Sequence, residues 1–241
     1  MICGGFIVDG DHRDGPHFFL AKREDSIILD DWDTVGLEGT GSKSFVIQDA
    51  FIPEHRFLDG ALARVGKGPG TEINKAAVYR TPRGGVTSTG FAALTVGTAQ
   101  GVLDEWVNFT KPRQSRGIQI ADEPGTHLVA ARSSAEIAAA EALYFGTICD
   151  AQKRLEKGHN LSDFDLSTAR RNVGFSAKLA LNAGTRLFKA AGGRALSRGN
   201  ALERQYRNLV ASASHHAMVW ERNAMAYGQD LFNLKASDDQ I

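Results

Sequence analysis

From about residue 86 onward, apolar residues recur at spacings of three and four in four long segments, roughly 86–110, 125–157, 163–191 and 200–232. That pattern leaves little choice of fold. Helices of about 30 residues are roughly 45 Å long, and single apolar stripes of that length are buried only by laying helices side by side. The breaks carry ordinary stop signals: Pro112 and Pro124, then Gly158, then Gly192-Gly193 with Gly199. Asp163 and Asn200 read as N-caps. The last segment carries Leu202, Tyr206, Leu209, Ala213, Trp220, Ala224, Tyr227 and Leu231 as one stripe, predicting a single continuous helix.

Before residue 60 the periodicity is that of strands. Cys3–Val8, His17–Ala21, Ser26–Leu29 and Ser44–Ile52 are rich in Ile, Val and Phe, and turn residues such as Asp9-Gly10 and Asp14-Gly15-Pro16 separate them. The expected architecture is therefore α+β and mostly α. Residues 1–58 form a partial antiparallel β domain, 59–85 a Gly/Pro-rich linker, and 86–241 an antiparallel four-helix bundle. Four short strands cannot close a core alone, which predicts apolar surface left uncovered in the isolated chain.

Composition narrows the function classes. The 28 basic residues balance the 28 acidic ones, so charge gives no reason to expect nucleic acid or an anionic membrane as partner. No apolar run approaches the ~20 residues of a membrane span, and the start lacks the pattern of a secretory signal. The expected location is the cytoplasm. Cys3 and Cys149 are too few for a disulfide framework or a structural zinc site. Asp9, Asp11, His12, Asp14 and His17 fit neither a calcium nor a zinc spacing and read as turn residues; no metal is expected. Gly36–Ser44, GLEGTGSKS, looks like a phosphate loop. Ser42 sits where the lysine must be, and a strand follows where a helix must begin, so it reads as a hairpin loop.

Two stretches remain informative: DDWDTVGLEGTGSKSFVIQDAFIPEHR, ending at Arg56, and AGGRALSRGNALERQYRNLVASASHHAMVW, Ala191–Trp220. In this order, around a four-helix bundle, they resemble the acyl-CoA dehydrogenase superfamily. More closely, they resemble its branch of two-component flavin-dependent monooxygenases, which hydroxylate phenols, steroid phenols or sulfur heterocycles. Members of that family have an N-terminal helical domain, a β domain and a C-terminal bundle. The resemblance begins here inside the β domain, without the N-terminal helical domain.

The resemblance implies an oxygenase component that receives reduced FMN or FAD from a separate flavin reductase, forms the flavin C4a-hydroperoxide with oxygen, and hydroxylates a small aromatic or heteroaromatic molecule. It also implies a homotetramer. In the branch, a histidine eight residues after the Arg of an Arg-Asp motif faces the flavin. Arg207-Asn208 takes that place here, and the count lands on His215. His216 occupies the neighbourhood of the dehydrogenases' glutamate and falls on the apolar stripe, where packing in the bundle core explains it equally. Within one helix, neighbours point about 100° apart, so His215 is expected toward the flavin and His216 toward the core. Arg113 begins Arg-Gln-Ser-Arg-Gly, where the superfamily has Arg-x-x-Phe-Gly, and the matching arginine reaches the flavin phosphate of a neighbouring subunit. Arg116 replaces the aromatic and could share that task; both are equally readable as solvated loop arginines. Gly192 and Gly193 match a glycine pair near the flavin's phosphate or adenine end, and a helix C-cap explains them as well.

Two rivals stand beside this reading. One is an acyl-CoA dehydrogenase with its base elsewhere, Glu221 being the nearest carboxylate. The other is an inactive, oligomerising fragment.

Overall fold

The computed structural model describes the backbone of residues 2–9, 12–84 and 86–234, and the side chains of these except in the N-terminal hairpin, where those of Gly4 and of His17 onward are described. The Asp9-Gly10 turn, Asp11, Gly85 and the side chains of Cys3, Asp9, His12 and Asp14 lie outside that description.

β1 (Ile2–Asp9) and β2 (His12–Leu20) pair antiparallel, from Ile2 opposite Leu20 to Asp9 opposite His12, with a register shift between Gly5 and Ile7. β3 (Ser26–Ile28) and β4 (Phe45–Ile47) form a second antiparallel pair, and β5 (Phe57–Leu58) adds to β2. The strand expected over Ser44–Ile52 is cut short because Asp49 turns the chain with a φ of 50°. The residues expected to be a linker are structured. α1 (Gly60–Arg64) is N-capped by Asp59, α2 (Pro69–Ile73) follows, and Ala77–Arg80 form a 3-10 turn. Two compact units result. The first takes the chain up to Thr34, Glu38–Gly84 and Gln152–Asn160; the second takes Val35–Leu37, Gly85–Ala151 and the chain from Leu161. The boundary therefore does not follow chain order: three residues of the β-rich half belong to the helical unit, and a stretch of helix end and loop belongs to the β-rich one.

Within the first unit a cleft of about 520 Å³ opens between Phe18, Phe57 and Leu58 on one side and Lys67, Tyr79 and Arg83 on the other. The Arg83 guanidinium lies 3.9 Å over the Phe18 ring. Large apolar side chains stand exposed in both units, among them Phe51, Phe145 and Phe232.

The helical unit holds α3 (Thr89–Thr110), the hairpin strands β6 (Gln114–Ser115) and β7 (Ile118–Gln119), α4 (Pro124–Glu156), α5 (Asp163–Ala191), α6 (Ala201–Ala213) and α7 (Trp220–Leu231). The N-cap of α5 is Ser162 rather than Asp163. Its hydroxyl accepts from the Asp165 N–H at 3.2 Å, and the Asp165 carboxylate accepts from the Ser162 N–H at 3.0 Å, a reciprocal box. Asn200 caps α6 as expected, accepting from the Leu202 N–H. Gly192 closes α5 with a φ of 74°, a conformation that costs glycine nothing.

The core of this unit is built on small residues. Ala99, Val102, Ala180, Ala183, Leu187 and Leu209 are almost fully buried in it. A Cβ at Gly184 would collide with the Leu209 side chain, so α5 and α6 approach at a distance only glycine permits. A charged pair enters this region. Arg186 donates to both oxygens of Glu136, at 2.8 and 2.7 Å, and to the Ser133 hydroxyl, with the two charged side chains 22% and 19% exposed. Burial alone would raise the Glu136 carboxyl, but hydrogen bonds from Arg186 and Arg132 outweigh it and hold the group below its ordinary 4.5. Its folded-state value is depressed, so its stabilisation is complete above pH 4.5 and drains away as pH falls through the lowered value. Glu136→Gln should cost about 1.5–3 kcal/mol at pH 7, and the gap from wild type should close in acid. A constant gap in urea unfolding from pH 7 to pH 3 would show that the pair does not set acid stability.

The expected continuous helix over 200–232 is two helices. Ser212 and Ser214 turn their hydroxyls back onto the Leu209 and Val210 carbonyls, at 2.9 and 2.8 Å. Such bonds compete with the helical ladder. α6 stops at Ala213, His215 is extended at φ −63° and ψ 138°, and His216–Met218 form a 3-10 turn before α7. The apolar stripe is real at Leu202 and Leu209 but skips to Met218 across the break, and Leu231 at its end is exposed.

Candidate functional site

The break in the last helix places His215. Its Nδ1 accepts from the Ala217 N–H at 3.2 Å, which makes the ring the N-cap of the 3-10 turn. In the neutral imidazole, a nitrogen that accepts carries no proton, so the hydrogen resides on Nε2. The ring is stacked on Phe91, near the start of α3, with centroids 3.8 Å apart and planes 17° from parallel. The His216 ring lies 4.3 Å away. Burial, and then the neighbouring His216, push the His215 pKa below its ordinary 6.5. At neutral pH this ring is an uncharged donor with a fixed plane.

His216 departs from expectation. It is exposed, not packed in the core, because the two histidines do not share a helix and the 100° rule does not apply to them. Met218 takes the buried position instead, among Ala92, Val173 and Ala177. Glu221 is exposed in the first turn of α7.

Arg113 is held where α3 has ended. One guanidinium nitrogen donates to the Ala191 carbonyl at 2.7 Å, and the group lies 4.6 Å over the Phe109 ring. Its Nε is buried with no hydrogen-bond partner. The Ala191 contact brings Arg113 beside Gly192 and Gly193, both exposed, around which a Cβ would meet nothing within 4 Å. An orphaned arginine N–H next to open backbone suits an anionic group such as a phosphate. Arg116 is placed differently. With Gly117 it makes the two-residue turn of the β6–β7 hairpin, at φ 52° and 81°, exposed to solvent.

These two clusters are far apart in one chain. From Phe91 to the end of α3 at Thr110 is about 29 Å at the helical rise, and Arg113 lies beyond that end. The two informative sequence stretches do meet, however, on α6. The Asn208 side chain accepts from the Leu37 N–H at 2.9 Å. Arg207 donates to the Val35 carbonyl and is itself held by Glu203 at 2.5 Å. Gly36 lies so close to Arg207 that a Cβ would come 2.7 Å from its carbonyl carbon. The first two residues of the loop that imitates a phosphate site thus join Val35 in a backbone clasp on α6. Among the described residues, no group of three His, Cys, Asp or Glu could hold a metal, and no helix is long and apolar enough to cross a membrane.

Sequence reasoning missed Phe91 and Asn223. Phe91 lies more than a hundred residues from His215 and carries no signal of its own. Asn223 is 7% exposed and was visible as a lone amide on the stripe beside Ala224.

Known proteins resemble the chain throughout. The family model described as "Acyl-CoA dehydrogenase, C-terminal domain" matches residues 89–220. The flavin-dependent monooxygenase oxygenase subunit HsaA of Rhodococcus jostii is 34% identical, covering 100% of this chain and 64% of the relative. The oxygenase component of the FADH(2)-dependent resorcinol hydroxylase of a Rhizobium species is 30% identical, covering 92% of this chain and 57% of the relative. A crystal structure of 3-HSA hydroxylase from a Rhodococcus species superposes with a TM-score of 0.90 at 32% identity, covering 100% of this chain and 62% of that one. The chain spans about three fifths of the length of these relatives.

Proposed function

Because the chain belongs to the acyl-CoA dehydrogenase C-terminal domain family, we propose that it serves the oxygenase component of a two-component flavin-dependent monooxygenase hydroxylating an aromatic or heteroaromatic small molecule. The observation that carries this reading is the state of His215. A neutral ring with its acceptor nitrogen occupied and its N–H free is built to donate a hydrogen bond, not to abstract an α-proton. No carboxylate stands between Ser214 and Trp220 to do the latter. The names of the relatives support the flavin and the monooxygenase class.

In this function reduced FMN or FAD, delivered by a separate flavin reductase, supplies the electrons that activate dioxygen. The side chains do the rest. His215 donates from Nε2 to an oxygen atom at the reacting centre, its ring plane held by Phe91. Ala92 and Met218, close in the chain to Phe91 and His215, are buried together and anchor both segments in the apolar core. Arg113, with Gly192 and Gly193, holds the flavin phosphate. Since Arg113 and His215 of one chain stand at opposite ends of α3, each serves a different flavin. A site completed by a second chain fits an oligomer, and the homotetramer is the assembly the resemblance implies.

The test is oxygen-dependent hydroxylation of a panel of phenols and indoles, with reduced flavin regenerated by an added reductase. Product formed in step with oxygen consumed is expected. Reduction of bound oxidised FAD by an acyl-CoA would instead establish the dehydrogenase. Oligomers that neither turn over nor bind reduced flavin would establish the inactive fragment. For the phosphate site, Arg113→Ala should weaken reduced-flavin binding about ten- to a hundred-fold, the scale of a charged hydrogen bond at about 1.5–3 kcal/mol. Equal affinity of wild type and variant in an anaerobic titration removes Arg113 from the site.

A further inference from the structure

The bond that fixes His215 depends on a residue outside the histidine pair. Ala217 is gripped from both sides: its N–H donates to His215 Nδ1 at 3.2 Å, and its carbonyl accepts from Asn223 Nδ2 at 2.9 Å. Asn223 lies in the first turn of α7, where its own N–H bonds the Val219 carbonyl. Its amide is buried, and the space it fills exists because α5 has glycine at 174: a Cβ there would come 2.9 Å from Asn223 Nδ2. A buried amide in a pocket shaped for it, spending its donor on one carbonyl of a six-residue break, is not needed to cap α7. The Ala217 carbonyl shares its peptide plane with the Met218 N–H, which donates to the His215 carbonyl at 2.8 Å, so Asn223 and His215 hold that plane from its two ends. An imidazole takes the tautomer that its best-placed neighbour demands.

We propose that Asn223 is a positioning residue for His215: by holding the peptide plane between Ala217 and Met218 it fixes the tight turn around Ala217, and so keeps the Ala217 N–H, on the preceding plane, aimed at Nδ1 and locks the ring in the form that carries its proton on Nε2. The inference rests on the reading of His215 as the donor at the reacting centre, and extends it to a residue that touches neither flavin nor substrate. The geometry requires an amide at 223. Asp in its place is isosteric but presents only acceptors to a carbonyl, and Leu fills similar volume with no donor. Either change releases the peptide plane between Ala217 and Met218, loosens the turn that aims the Ala217 N–H, and lets the ring exchange between its two neutral forms.

The experiment is nitrogen-15 NMR of histidine-labelled protein, with His215 assigned from His215→Gln. Wild type should show a single pattern, Nδ1 unprotonated and Nε2 bearing hydrogen, above the ring's pH midpoint. Asn223→Asp should lose that single pattern, the two ring nitrogens averaging toward each other, and should move the His215 midpoint. Asn223→Leu should do the same without adding a charge, and product formed per oxygen consumed should fall in both. A wild-type ring protonated on Nδ1 overturns the proposal whatever the variants do. So does a folded variant, judged by circular dichroism and melting temperature, whose His215 pattern and midpoint match wild type. If the tautomer follows residue 223 but His215→Ala leaves product coupling intact, the positioning role stands and the catalytic reading of His215 falls.

Discussion

Replacing His215 with alanine should separate oxygen consumption from product formation. Removing a donor aimed at a reacting oxygen in a water-poor site typically costs 10²–10³ in rate. Here we expect product per oxygen consumed to fall by about tenfold or more, with hydrogen peroxide making up the balance. In wild type, coupling should decline as the pH drops through a midpoint below 6.5, because protonation of Nδ1 ejects the Ala217 N–H and charges the ring. That titration should vanish in His215→Ala. The variant also loses a cap and an aromatic stack, together on the order of 1–2 kcal/mol, so its melting temperature should drop modestly as well. His216→Ala should do neither, since an exposed side chain typically contributes within about 0.5 kcal/mol. Uncoupling from His216→Ala with normal coupling in His215→Ala would move the function to the exposed ring. Oxygen electrode traces with product and peroxide assays decide it.

The second large effect concerns the clasp on α6. Gly36→Ala should destabilise the protein on the order of 2–3 kcal/mol, because the methyl meets backbone rather than a side chain that can swing aside. The least costly escape is for Val35–Leu37 to lift away, giving up the bonds from Leu37 to Asn208 and from Arg207 to Val35. Amide exchange at Leu37 should accelerate accordingly. Gly39→Ala is the control: nothing stands within 4 Å of its Cβ, and neither glycine has a φ that alanine avoids. Equal melting temperatures for the two variants would mean that the clasp contributes nothing.

Much of this was legible in the residues. Helices α3, α4 and α5 begin and end within a few residues of their glycine, proline and serine signals, because those residues act through local backbone sterics and capping. The helix break was not. Spacing of apolar residues ran through it undisturbed, while the hydroxyls of Ser212 and Ser214, which bond backward at its edge, leave no periodic trace. The misplacement of His216 followed from that single error. Arg113 and the glycine pair were singled out from a resemblance, but their adjacency depends on the Ala191 carbonyl, a backbone atom that no sequence pattern reports. Asp163 was read as the cap of α5, but Ser162 takes that place because its reciprocal box with Asp165 begins one residue earlier.

Helix α6 bears two loads. Where its second turn meets its third it carries Arg207 and Asn208, which grip Val35–Leu37, and about one and a half turns later it ends where the histidine segment begins. Against α5 it is keyed by Gly184, which leaves Leu209 no slack to slide. A helix held so tightly along its flank moves as a rod or not at all. Tension applied to the Val35–Leu37 strap therefore passes, through the Arg207 and Asn208 side chains, to the same rod that sets where His215 starts. The strap and the imidazole share one lever arm, and a change that shortens or lengthens the strap is felt at the ring.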